Sequence, residues 1–212
     1  MPKSFIARAI ALISAAIAAW LLIAVALKLW QAPEPSIAVE DKGVTGAALV
    51  GGPFTLTDQH GKRVSDADFR GRYMLVYFGY SFCPDVCPTD LAAMAAAIDQ
   101  LGPAGDRVQP IFITIDPGRD TVQRLAEYAP LFHPRLLALT GTPDEIARAA
   151  EQYRVYYEKA GEGTDYLMNH SGIVYLMDPE GRFLTHFAQG TPPEEMALKI
   201  RSQMSESRNQ NS

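Results

Sequence analysis

Cysteine is almost missing from this 212-residue chain: there are two, Cys83 and Cys87, both within YFGYSFCPDVCPTDL at 77–91 and each followed directly by a proline. Basic charge is also in short supply, with 19 Lys and Arg against 24 Asp and Glu and a net charge of −5. No basic stripe, internal repeat or low-complexity tract stands out, which argues against nucleic acid as a partner. With so few thiols, three roles compete for the pair: a structural disulfide, a redox-active dithiol, or two metal ligands.

What is present begins with an apolar run. From Ala9 to Leu27 the chain reads AIALISAAIAAWLLIAVAL without a charge. At about 1.5 Å per residue this crosses a hydrocarbon core of roughly 30 Å. Lys3, Arg8 and the α-amino group precede the run, and Lys28 with the acids Glu34 and Glu40 follows it. The positive-inside bias therefore puts 1–8 in the cytoplasm, an anchor at 9–28 and the rest outside. Ala24-Val25-Ala26 resembles a signal-peptide cleavage site, but it lies inside the apolar run, which is longer than a usual h-region, so a retained anchor is expected. The short N-terminus lacks an Arg-rich presequence, and the expectation is a single-pass protein of a bacterial inner membrane with its domain in the periplasm. Residues 29–51, rich in Pro, Gly and small side chains, read as a linker, 52–204 as one folded domain of about 150 residues, and the polar 205–212 as a flexible tail.

In that domain, β-rich runs (PFTLTD, YMLVYFGY, VQPIFITID, RLLALTG, GIVYLMD, RFLTHFAQ) alternate with helical candidates at Thr89–Leu101, Thr121–Tyr128, Asp144–Tyr157 and Glu194–Met204. YMLVYF and IFITI are apolar without alternation, as central strands covered on both faces should be. Asp178-Pro179-Glu180-Gly181 predicts a hairpin turn between the last two strands. The fold class expected is an α/β sandwich with a mixed sheet.

The cysteines lie just past a buried strand, at the start of the Ala-rich helix LAAMAAAI. A helix N-terminus offers free N–H groups and the positive dipole end, and both favour thiolate over thiol, so reactive thiols are expected. A disulfide over so short a loop removes little unfolded-chain entropy, which makes stability a poor reason to have one. If the loop is helix-like, the four-residue spacing puts the Cβ atoms about 5–6 Å apart, wider than the roughly 3.5–4.5 Å a disulfide prefers. That gap accommodates two sulfurs on one metal. Among the four histidines, His60 sits in a turn, His133 precedes a proline and His186 lies on an alternating strand. His170 differs, because NHSG immediately precedes the buried strand GIVYLMD, and a loop there can approach the end of another strand.

FTLTDQHGKRVSDADFRGRYMLVYFGYSFCPDVCPTDL, then ITIDPGRDT, LTGTPDEI, YRVYY and NHSGIVYLMDPEGRF, closely resembles the Sco/SenC family of membrane-anchored copper proteins, in order and over nearly the whole exported part. The resemblance implies a thioredoxin-like fold and one copper ion, Cu(I) or Cu(II), held by Cys83, Cys87 and His170, with the loop carrying His170 folded over the cysteine helix. It implies a role in loading the binuclear copper centre of cytochrome c oxidase. The expected partners are the copper-site subunit of that oxidase, another periplasmic copper chaperone, and the membrane through the N-terminal helix. Many members carry an acidic residue where this chain has Asn169, so a carboxylate role there is not carried over. Asp116 and Asp120 in DPGRDT match the family, yet they also read as a strand-end residue and an N-cap, and no site role is assigned to them.

Two thiolates and an imidazole make a soft, low-coordinate set suited to Cu(I), while the imidazole admits Cu(II). Zinc usually wants a fourth ligand, and no residue presents itself. The leading function is a non-enzymatic copper carrier. The alternative is a thiol–disulfide oxidoreductase acting on exported cysteines through Cys83 and Cys87. A peroxiredoxin-like activity ranks third, because the T-x-x-C motif is missing before Cys83.

Overall fold

The computed structural model describes residues 50–210, and among these no helix is long and apolar enough to cross a membrane. The anchor expected at 9–28, the N-terminal 1–8 and nearly all of the 29–51 linker lie outside the described residues.

The two unbroken apolar runs form the centre. YMLVYFG becomes β3 (Tyr73–Gly79) and VQPIFIT becomes β4 (Val108–Thr114), paired in parallel from Tyr73 opposite Val108 to Gly79 opposite Thr114. Every residue of both strands is buried. Successive side chains of a strand point to opposite faces, so both faces of this pair are covered.

Beyond β4 come β5 (Leu137–Thr140), parallel to it, then β1 (Thr55–Asp58) and β2 (Arg63–Ser65), each antiparallel to its neighbour. On the other flank, β8 (Ile173–Met177) runs antiparallel to β3, and β9 (Phe183–Ala188) antiparallel to β8. The sheet order is β2-β1-β5-β4-β3-β8-β9, a mixed sheet as expected. The β8–β9 turn closes where Asp178 and Gly181 predict it: the Gly181 N–H donates to the Asp178 carbonyl, and the Asp178 carboxylate accepts from the Arg182 N–H.

Among the described residues, four α-helices cover the sheet: α1 (Val86–Gln100), α2 (Val122–Tyr128), α3 (Pro143–Gln152) and α4 (Pro193–Gln210). Cys87, Leu91, Met94 and Ile98 fall on one face of α1 at helical spacing and are all buried. The alanines of α1 let α4 approach closely, with Met196, Ala197, Ile200 and Met204 buried on its inner side.

Four differences from the sequence reading have physical causes. α3 stops at Gln152, short of Tyr157, because Arg154 adopts a left-handed conformation (φ 56°). The N–H groups of Arg154 and Val155 then donate back to the carbonyls of Glu151 and Ala150, closing the helix in a Schellman motif. A separate two-stranded hairpin, β6 (Tyr157–Ala160) and β7 (Leu167–His170), was missed because its residues are largely polar and half of them exposed. β2, three residues on the sheet edge, is too short to show a period. α4 continues to Gln210, so 205–210 are helical where a flexible tail was expected.

Gly79 ends β3 in a tight place. A Cβ there would lie 2.9 Å from the Tyr77 ring, 3.0 Å from Cys87 Sγ and 3.1 Å from the Phe112 ring. We expect Gly79→Ala to cost about 1–3 kcal/mol of stability through overpacking and to displace the Cys87 sulfur. Urea unfolding should show the lower midpoint, and an unchanged midpoint would contradict this packing.

Candidate metal centre

The chain leaves β3 at Gly79 and turns through Tyr80–Asp85 into α1. Asp120 pins that turn. Its carboxylate, fully buried, accepts from the Ser81 N–H at 2.9 Å, the Ser81 hydroxyl at 2.5 Å and the Thr114 hydroxyl at 2.6 Å. Burial pushes its pKa up, while the hydroxyl and N–H donors work the other way. Arg124 Nε also donates to the Ser81 hydroxyl, at 3.0 Å. The N-cap of α2 is Thr121, which accepts from the Arg124 N–H, so Asp120 is a fastener of the cysteine loop and not the cap it resembled. Its sequence signal was only its place in ITIDPGRDT, which does not reveal a partner 39 residues away.

At the start of α1 the Asp85 side chain makes no capping bond. The Cys83 sulfur takes that place, accepting from the Cys87 N–H at 3.4 Å. Pro88 follows at a position where a helix has no carbonyl for an N–H to reach, so its missing donor costs nothing. The two thiols therefore differ. Burial raises the Cys83 pKa, but the N–H groups of Cys87, Asp85 and Val86 together outweigh it and hold the thiol below its ordinary value. Cys87 is fully buried, and that burial pushes its thiol up to about 12 despite its place at the helix start. The expectation that both thiols are activated by the helix start is thus corrected for Cys87: helix N–H groups activate Cys83, and burial suppresses Cys87.

His170 is not in a loop but ends β7, opposite Tyr157. It reaches the cysteines because β8, the strand that follows, is antiparallel to β3 with Tyr77 opposite Val174, so the entrance of β8 lies beside the exit of β3. Its Nε2 stands 3.3 Å from Cys87 Sγ, and its Nδ1 is 3.2 Å from the Ser171 carbonyl. With the ring proton donated from Nδ1 to that carbonyl, the Nε2 lone pair faces the sulfur. The rings of Tyr77 and Tyr80 meet the imidazole edge-on, each 6.1 Å away between centroids. Burial lowers the His170 pKa, against the opposing pull of the Ser171 carbonyl and the Asp90 carboxylate, and so favours the neutral, ligand-competent form.

A cleft of about 270 Å³ opens onto Cys83 and His170, lined among others by Tyr80, Asp85, Met168 and Asn169; Cys87 lies buried beneath. Asn169 is exposed, facing Glu158 across the hairpin. The other histidines lie elsewhere: His60 exposed, His186 stacked on Phe183, His133 buried beside Asp99. Among the described residues, no three His, Cys, Asp or Glu side chains stand grouped to hold an ion as they lie. Cys87 and His170 are already in contact, whereas the Cys83 sulfur is engaged with the helix N-terminus. Both cysteines are free thiols.

Comparison with known proteins gives a consistent result. The SCO1/SenC family model matches residues 42–205. The SCO1 homolog 1 protein of Arabidopsis thaliana mitochondria is 47% identical over 156 residues, covering 73% of this chain; the chain spans 47% of that relative's length. The structure of Bradyrhizobium japonicum ScoI with copper bound is 43% identical, with a TM-score of 0.68 over 73% of this chain and 99% of ScoI. A structure of BsSco, described as a member of the Sco family of cytochrome c oxidase assembly proteins with a disulfide switch, is 26% identical with a TM-score of 0.61, covering 74% of this chain and 94% of its own. The mixed sheet and its helices are thus arranged as in the thioredoxin-like Sco structures.

The inequality of the thiols is directly measurable. Near neutral pH, Cys83 should alkylate about tenfold faster than Cys87 or more, and its rate should level off below the pH at which an ordinary thiol ionises. Mass spectrometry of partly alkylated protein checks this; equal labelling of the two positions would refute the assignment.

Proposed function

The chain belongs to the SCO1/SenC family, and from that premise we propose that it is a copper carrier. It would hold one ion through Cys83, Cys87 and His170 and pass it to the copper-site subunit of cytochrome c oxidase, working from the periplasmic face of a bacterial inner membrane to which residues 9–28 anchor it. Another periplasmic copper chaperone would be a further partner.

The observation that carries this reading is the Cys87–His170 contact. A dithiol that only exchanges disulfides has no need of an imidazole, yet a separate hairpin brings one to 3.3 Å from the buried sulfur. Two sulfurs and one nitrogen form the soft, three-coordinate set that suits Cu(I). Nδ1 is committed to the Ser171 carbonyl, leaving Nε2 as the donor. Cys83 completes the set by rotating its sulfur from the helix N–H groups toward the cleft. An open coordination position then lets ligands of a recipient protein enter and remove the ion. Both thiols must lose protons to bind, so affinity rises with pH.

The second reading is a thiol–disulfide reductase of exported proteins, and one observation favours it. An accessible thiol of lowered pKa beside a buried one is the arrangement in which the first attacks a disulfide and the second resolves the mixed intermediate. His170 separates the two readings.

We expect the purified full chain, with its thiols reduced, to bind one copper ion and to give a sulfur-to-copper charge-transfer band with Cu(II) that either Cys83→Ser or Cys87→Ser removes. His170→Ala should weaken copper about tenfold or more while reducing a test disulfide at close to the normal rate. Cells depending on His170→Ala should show low oxidase activity at limiting copper. A His170→Ala protein that binds copper as tightly as wild type would leave the reductase as the better account.

A further inference from the structure

The hairpin of β6 and β7 shares no backbone pairing with the main sheet, yet it carries His170. Something else must hold it over the cysteine loop. Arg119, in the loop between β4 and α2, meets both. Its guanidinium carbon lies 3.6 Å from the centroid of the Tyr166 ring, on the turn of the hairpin, and 4.8 Å from that of Phe82, the neighbour of Cys83. Its Nη1 donates to the Tyr166 carbonyl at 3.0 Å and, more weakly, to that of Thr164 at 3.4 Å. Its Nε donates to the buried Asp116 carboxylate at 2.5 Å, and the Tyr166 hydroxyl donates to the other oxygen of that carboxylate at 2.8 Å. Lys159, on β6, lies 4.0 Å from the centroid of the Tyr166 ring.

From this geometry we infer that Arg119 is a positioning residue, a clamp that ties the hairpin bearing His170 to the loop bearing Cys83. A planar fork does here what a point charge cannot: it stacks on an aromatic ring while its N–H groups reach a carboxylate and two carbonyls. Phe82 is 45% exposed, large for an aromatic side chain, and Arg119 and Arg124 both lie against its ring. The clamp acts at Tyr166, four residues before His170, and so fixes the reach of the imidazole. The consequence for copper rests on the carrier reading above; the clamp itself does not.

Hydrogen exchange on the full chain in detergent micelles tests this. Arg119→Ala should raise amide exchange across 157–170 about tenfold or more, leave β3 and β4 as protected as in wild type, and shift the His170 ring resonances. Arg119→Lys should behave as the alanine variant does, and wild-type protection in it would overturn the role of the fork. Unchanged exchange and unchanged His170 resonances in Arg119→Ala would overturn the clamp. If that variant loses protection everywhere, Tyr166→Leu decides: faster exchange confined to 157–170 supports the clamp, and wild-type exchange refutes it. Copper gives a separate readout, since Arg119→Ala loaded with Cu(I) should release the ion to a chelator about tenfold faster. A wild-type chain that binds no copper would defeat the carrier reading while the exchange measurements still judged the clamp; normal release from a variant with a loosened hairpin would show that the clamp does not govern the site and would overturn its positioning role.

Discussion

β3 pairs in parallel with β4 on one side and antiparallel with β8 on the other, and the site depends on that change of direction. Parallel pairing sends β3 and β4 out at the same end, so the loop after β3, which carries the cysteines, and the loop after β4, which carries Asp116, Arg119 and Asp120, leave side by side. Antiparallel pairing brings β8 in at that same end, and the residues just before it, His170 included, arrive there too. Three segments far apart in the chain meet because one buried strand has neighbours of opposite sense. Gly79 marks the meeting point, with no room for a side chain between β3 and Cys87.

From that junction the thiols acquire unequal characters without any charged partner. Cys83 sits where the helix presents unpaired N–H groups, and Cys87, one turn further, sits among Tyr77, Phe112 and the core. The same four residues of spacing that place Cys83 before the helix and Cys87 in its first turn also move the second sulfur out of reach of solvent. The first thiol is therefore readied for ionisation by backbone donors, and the second awaits a partner that repays its desolvation. A disulfide or a soft metal would do so, and on the carrier reading His170 Nε2, 3.3 Å away, favours the metal.

Much of this was legible in the sequence for identifiable reasons. YMLVYF and IFITI are long, apolar and unbroken, which only a doubly covered strand tolerates, and DPEG names its own turn. CPDVCP at the strand-to-helix boundary marked the thiols, and NHSG before a buried strand marked the histidine. What stayed hidden was whatever depended on tertiary context. The hairpin residues YEKA and LMNH have little β character, and tertiary ties hold them in place. The pKa of Cys87 is set by burial, which its position at a helix start does not disclose. Asp120 looked like a cap because a cap and a buried fastener need the same side chain, and only the position of Ser81 distinguishes them.

The division of labour among the candidate ligands bears on how a metal could be taken up and given away. Cys87 belongs to the rigid part, since its backbone is helical and its side chain is packed in the core. Cys83 belongs to a loop fastened through Ser81, and it lines the cleft outside the core. His170 belongs to a hairpin held by side-chain contacts alone. On the carrier reading, the ion would thus be bound by one donor fixed in the core and two on segments outside it, whose withdrawal would cost only local contacts. A site made wholly of core residues would bind copper and keep it, because releasing it would mean opening the core. On that reading, placing two of three donors outside the core would let an incoming ligand replace them without opening it.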